Sequence, residues 1–236
     1  MGDKELASKE EFGGDKKVPL HSPLAKIERR FIDANVPRVP RWIESYHLTL
    51  LTIPWSAGLV MFGYLAGRYS LHWLWGSSFM LFMQWFTDSF DGSLGKYRNA
   101  GLRKWGFYMD HFLDFIFMPC NFVGYCFIVG QPVSVYLLLI IGFIYCAMMV
   151  NAFLAFGATN RFRITYLGTG PTEIRLYFIL INTALVFAGP RFLEVALPYA
   201  LVAFAVALAI IVYQGHREIW AIDMEERKQG GGAPEK

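Results

Sequence analysis

Six apolar stretches recur along this chain, at residues 47–67, 71–90, 107–130, 133–157, 174–189 and 192–213. Each approaches the ~20 residues an α-helix needs to cross a bilayer. The fifth is short, and its start reaches back toward Thr172. Lipid offers backbone N–H and C=O groups no partners, so runs of this length must satisfy themselves as helices. At 55% hydrophobic and 17% charged, the chain is too apolar for an ordinary soluble domain. It carries 21 Phe, 12 Tyr and 7 Trp, rings that anchor well at the headgroup level.

The basic residues are not evenly spread. Lys26, Arg29, Arg30, Arg38 and Arg41 precede the first stretch, and Lys96, Arg98, Arg103 and Lys104 lie between the second and third. Arg161, Arg163 and Arg175 surround the connection from fourth to fifth, while the alternate connections hold only Arg68 and Arg191. That alternation satisfies the positive-inside rule with six spans and both termini in the cytoplasm. The expected fold is an all-α, multi-pass integral membrane protein. Residues 1–23, polar and rich in Lys, Glu and Gly, are expected to be a disordered cytoplasmic tail. They show no apolar core of a cleavable signal peptide. Within residues 24–44, Leu24, Ile27, Phe31 and Ile32 recur at helical spacing opposite Lys26, Arg29, Arg30 and Asp33. This predicts an amphipathic juxtamembrane helix on the membrane surface, the alternative being a short soluble cap helix. Residues 45–213 form the six-span catalytic domain in this reading, and 214–236 a charged cytoplasmic tail. Cys120, Cys126 and Cys146 all fall in apolar runs, as buried reduced thiols rather than a disulfide framework. Asn121 and Asn151, polar within spans, suit hydrogen bonds between helices.

Four carboxylates interrupt this apolar pattern. Asp88 and Asp91 are three apart at the end of the second stretch, and Asp110 and Asp114 are four apart at the start of the third. Both spacings put a pair on one helix face, and the short connection lets the two helices run as antiparallel neighbours. Ionised acids at membrane depth are costly and mark function. Four of them need a counter-charge, and carboxylate oxygens are what magnesium takes. Two divalent ions about 4 Å apart are a recurring device of phosphoryl chemistry. Gly92, Gly95 and Gly106 leave room for a bulky group to approach the backbone. Lys96 and Arg98 add positive charge suited to polyphosphate. The glycines also suit helix packing, and cytoplasmic topology alone accounts for basic residues.

Asp88, Asp91, Gly92, Gly95 and Lys96, then nine residues, then Gly106, Asp110 and Asp114: this pattern resembles the signature of the CDP-alcohol phosphotransferases. Gly95 stands where that signature has Ala, and Lys96 where it has Arg, which keeps the charge but loses the bidentate fork. The resemblance covers roughly residues 24–213. It implies that Asp88, Asp91, Asp110 and Asp114 hold two Mg²⁺ ions (Mn²⁺ being possible) against the diphosphate of a CDP-linked alcohol. By the same resemblance Gly92, Gly95 and Gly106 admit the cytidine, CMP leaves, and a substituted phosphate moves to a hydroxyl. It also implies a homodimer. Asp110-His111 and the segment Gly170-Pro171-Thr172-Glu173 resemble motifs of the choline and ethanolamine phosphotransferases. There, His111 and Glu173 would form the base that activates a lipid hydroxyl, with Asp114 the next candidate.

The expected reaction therefore has a CDP-ethanolamine or CDP-choline donor and a diacylglycerol-like acceptor in the membrane. The alternative is a CDP-diacylglycerol donor with glycerol phosphate, inositol phosphate or serine. That version needs a cationic subsite, for which Arg161, Arg163 and Arg175 are available, with Thr159 and Asn160 beside them. A divalent-cation transporter is the reading from another class. It would want acids spread along a transmembrane path. No nucleic-acid partner is expected.

Overall fold

The computed structural model describes residues 25–162 and 170–229. The expected disordered tail, Leu24, Arg163 and the stretch 230–236 lie outside them. About 88% of the described residues are helical, with no strand among them.

Among the described residues, eight α-helices follow in order: α1 Ala25–Asn35, α2 Ser45–Leu50, α3 Thr52–Arg68, α4 Leu74–Tyr97, α5 Arg103–Cys126, α6 Pro132–Thr159, α7 Pro171–Ala188 and α8 Pro190–Gln229. Proline opens α6, α7 and α8, where its missing N–H is one of the helix's unpaired donors in any case. Helix α1 ends where Pro37 forbids its continuation, and a single 3₁₀ turn, Val36–Arg38, follows. The expected surface helix over 24–44 is thus a shorter helix plus an extended connector. A left-handed Asn160 stops α6, and Gly189, also at positive φ, stops α7. The α4–α5 connection turns through Asn99 and Gly101, both at positive φ. Helix α8 does not stop at the expected tail boundary but runs on through the charged residues to Gln229.

Among the described residues, four helical stretches are long and apolar enough to cross a membrane: Ser45–Arg68, Pro132–Thr159, Pro171–Ala188 and Pro190–Lys228. The first joins α2 and α3 end to end. Helices α4 and α5 have 24 residues each, but the motif acids and neighbouring bases lower their hydropathy. Large apolar side chains face outward around the bundle, among them Phe143, Leu154, Phe187 and Tyr199. In water such a surface would aggregate; in a bilayer it is the lipid contact.

Helix α3 packs between α4 and α5, which touch each other only slightly. Direct α4–α5 pairing was the expectation; α3 takes that place because small residues let it approach closely. A Cβ on Gly63 would lie 2.4 Å from the Gly124 Cα, and one on Gly67 would clash with the Phe127 carbonyl. Gly63 and Gly67 form the small-x-x-x-small pattern of close helix crossings. This crossing is at the end of α5 away from the acids. Midway, Asn182 of α7 joins three helices. Its Oδ1 accepts from the Tyr125 hydroxyl at 2.7 Å and its Nδ2 donates to Ser78 Oγ at 3.1 Å. Leu81, Phe117, Leu138 and Leu185 fill the apolar core around it.

Candidate functional site

Three of the four acids converge from α4 and α5. Oxygens of Asp88, Asp110 and Asp114 lie within 4.8 Å of one another. Hard anionic oxygens in that arrangement match the ligand preference of Mg²⁺ or Mn²⁺. The fourth acid, Asp91, stands outside this group of three. It is buried, and its Oδ2 accepts a 2.8 Å hydrogen bond from Thr49 Oγ1 on α2. Gln84, fully buried one turn before Asp88, donates through Nε2 to Asp114 Oδ1 at 2.8 Å.

A guanidinium sits among these acids. Arg175 Nη2 is 2.7 Å from Asp88 Oδ2 and 3.4 Å from Asp114 Oδ1. The expected cluster of Arg161, Arg163 and Arg175 is divided accordingly. Arg175 is buried against the carboxylates. Arg161 is exposed just past α6, its N–H donating to Thr159 Oγ1 at 3.3 Å. Thr159 Oγ1 in turn donates to the Ala155 carbonyl at 2.7 Å, and Asn160 forms the left-handed cap.

The glycines are not in a loop. Gly92 and Gly95 lie within α4, and Gly106 in the first turn of α5. A glycine inside a helix costs about 1 kcal/mol relative to alanine. Close packing would account for that cost, yet a Cβ on Gly92 or Gly106 would meet nothing within 4 Å. A Cβ on Gly95 would come 3.5 Å from Ser45 Oγ, an ordinary contact. The open space beside the acids is therefore a cradle that side chains would fill. Lys96 is exposed next to it. Arg98 is engaged elsewhere: its Nη2 donates to the carbonyls of Val39 at 2.9 Å and Pro40 at 3.0 Å, and its Nη1 to that of Ile43. It ties the connector after α1 to the end of α4.

His111 Nδ1 lies 3.1 Å from Asp110 Oδ2. Phe107 stacks on the imidazole at 4.3 Å between centroids, and Phe162 lies 4.5 Å away. Glu173 is buried at the start of α7, where its Oε2 accepts the Gly170 N–H at 2.9 Å, as an N-terminal acid does.

Sequence reasoning passed over Thr49, Gln84 and Glu28. Gln84 had a signal, being a polar residue in an apolar run at i−4 from Asp88. Glu28 had one too: three before Phe31 and four before Ile32, it is an acid on the apolar face of α1. Its Oε1 accepts from Trp85 Nε1 at 3.1 Å and Ser89 Oγ at 2.7 Å, and its Oε2 from Thr172 Oγ1 at 3.0 Å. Helix α1 is thereby fastened to α4 and α7 one residue away from Asp88 and from Glu173.

Comparison with protein-family models, curated proteins and solved structures yields no match to this chain.

Proposed function

We propose that this protein is a six-span membrane transferase that moves a substituted phosphate from a CDP-linked alcohol to a hydroxyl, releasing CMP, in phospholipid synthesis. One observation carries the reading. Three converging carboxylates adjoin two helical glycines that face open space, within the motif that resembles the CDP-alcohol phosphotransferases. The six spans are α2 with α3, then α4 to α8. At ~1.5 Å per residue, α4 and α5 are long enough for a ~30 Å hydrocarbon layer. The basic α4–α5 connection beside their acids supports a site at the cytoplasmic boundary, with both termini on that side.

Asp88, Asp110 and Asp114, with Asp91 beside them, would hold Mg²⁺, two ions by the resemblance. Bound there, the metal would neutralise the diphosphate and stabilise the departing CMP. The chain's own residues position the substrates. Gly92 and Gly106 leave the backbone open for the cytidine, and Lys96 offers a charge to the phosphates. With Asp110 Oδ2 3.1 Å from its Nδ1, His111 would take the hydroxyl proton at Nε2.

Two features favour a lipid acceptor and a CDP-ethanolamine or CDP-choline donor. The base is boxed by Phe107, Phe153 and Phe162, so the group next to the reacting hydroxyl is apolar. Arg175 is held by carboxylates rather than presented with Arg161 to a phosphorylated acceptor. A homodimer is the expected assembly.

The test is CMP release by purified protein with Mg²⁺. CDP-ethanolamine or CDP-choline with diacylglycerol is one substrate set; CDP-diacylglycerol with polar alcohols is the other. Release from the first set, lost in Asp91→Asn and His111→Ala, is the expected result. Release from the second set alone would reverse donor and acceptor. Divalent uptake into proteoliposomes without CMP from any pair would replace the transferase by a transporter.

A further inference from the structure

Arg175 is only 5% exposed, so its guanidinium is out of water and depends on protein partners. It is incompletely satisfied there. Nη2 reaches Asp88 and Asp114, but Nε is buried with no hydrogen-bond partner among the described residues. An arginine does not escape such a place by losing its proton. Its two carboxylate partners belong to the group of three whose oxygens come within 4.8 Å. Any cation entering that group must share or take the oxygens Arg175 holds.

We propose that Arg175 is a built-in competitor for the divalent metal, the internal counter-cation of the acid cluster until metal displaces it. Loading the site moves Nη2 away from Asp88 Oδ2 and Asp114 Oδ1. The released guanidinium, with Nε already unpaired, then turns to an anionic oxygen of the ligand that arrives with the metal. This rests on reading the acids as metal ligands. Two consequences follow. Metal affinity is held below what three carboxylates would otherwise give. The metal-free protein is also stabilised, because Asp88 and Asp114 keep a counter-charge.

The experiment is Mn²⁺ binding, followed by the electron paramagnetic resonance of free Mn²⁺, to purified protein in detergent without substrate. Wild type is compared with Arg175→Met, Arg175→Gln and Arg175→Lys. Thermal unfolding is measured in EDTA and in Mn²⁺. Both neutral variants should bind Mn²⁺ about tenfold more tightly, while Arg175→Lys stays within about threefold of wild type. The neutral variants should melt below wild type in EDTA and gain more from Mn²⁺. Arg175→Gln keeps the comparison intact should Arg175→Met not fold. Binding by the neutral variants but not by wild type would support the inference in its strongest form. Wild-type binding with equal or weaker affinity in the neutral variants would overturn it and leave the metal reading standing. No binding by any form would overturn the metal reading itself.

Discussion

Gly92→Ala separates a glycine kept for structure from one kept for a ligand, because the two cases give opposite signs. Gly92 lies well inside the 24-residue α4, where alanine is favoured by about 0.8–1.0 kcal/mol through backbone entropy. No neighbour offsets that gain, since the added Cβ would meet nothing within 4 Å. A chain of this size shifts its melting temperature by about 2–4 °C per kcal/mol. Gly92→Ala should therefore raise the melting temperature of the substrate-free protein by about 2–4 °C in a detergent unfolding scan. The same methyl projects into the space proposed for the cytidine. A displacement of ~1 Å in a reacting group costs about 10²-fold in rate, so CMP release should fall by about that factor. Gly63→Ala is the internal control. Its methyl would sit 2.4 Å from the Gly124 Cα, backbone that cannot swing aside, so about 1–3 kcal/mol is lost while the site chemistry is untouched. A Gly92→Ala protein that is stabilised and fully active would refute the cradle. One that is destabilised would refute the open space itself.

Two further outcomes test how the site is held. Glu28→Ala removes the acceptor for Trp85, Ser89 and Thr172, so α1 should detach from the bundle; tryptic cleavage after Arg29 and Arg30 should then be at least tenfold faster, and an unchanged rate would mean that α1 is held otherwise. Asn182→Leu leaves the Tyr125 hydroxyl and Ser78 Oγ without their partner. Unfolding should show a loss of about 2–3 kcal/mol, with Asn182→Asp milder if the knot needs only its acceptor.

The helical membrane class was legible because 20-residue apolar runs admit few alternatives in lipid. The acids were legible for the opposite reason: Asp88, Asp110 and Asp114 are improbable in such runs unless something binds them. Helix packing was less so. The Gly63-x-x-x-Gly67 pattern was in plain sight, but a small-residue pair does not name its partner, and Gly124 emerges only in three dimensions. Arg98 and Arg175 show the limit most directly. Both carry the same charge near the same motif. One grips carbonyls of the α1 connector and the other lies among the acids. Nothing in their sequence neighbours distinguishes those fates; the path of the chain decides them.

The supports of the acid cluster share a logic that composition hides. Thr49 is on α2, Gln84 on α4 and Arg175 on α7, and each reaches an acid on a different helix or a different turn. Three close carboxylates repel one another, and helices that touch as little as α4 and α5 would part under that repulsion. Gln84 of α4 bonds Asp114 of α5, and Arg175 of α7 joins Asp88 to Asp114, so these acids are held together before any metal is present. Under the exchange proposed for Arg175, that arrangement would let one cation replace another without the acids splaying apart. A guanidinium suits that place, since it keeps its charge on burial and one Nη2 reaches both Asp88 and Asp114.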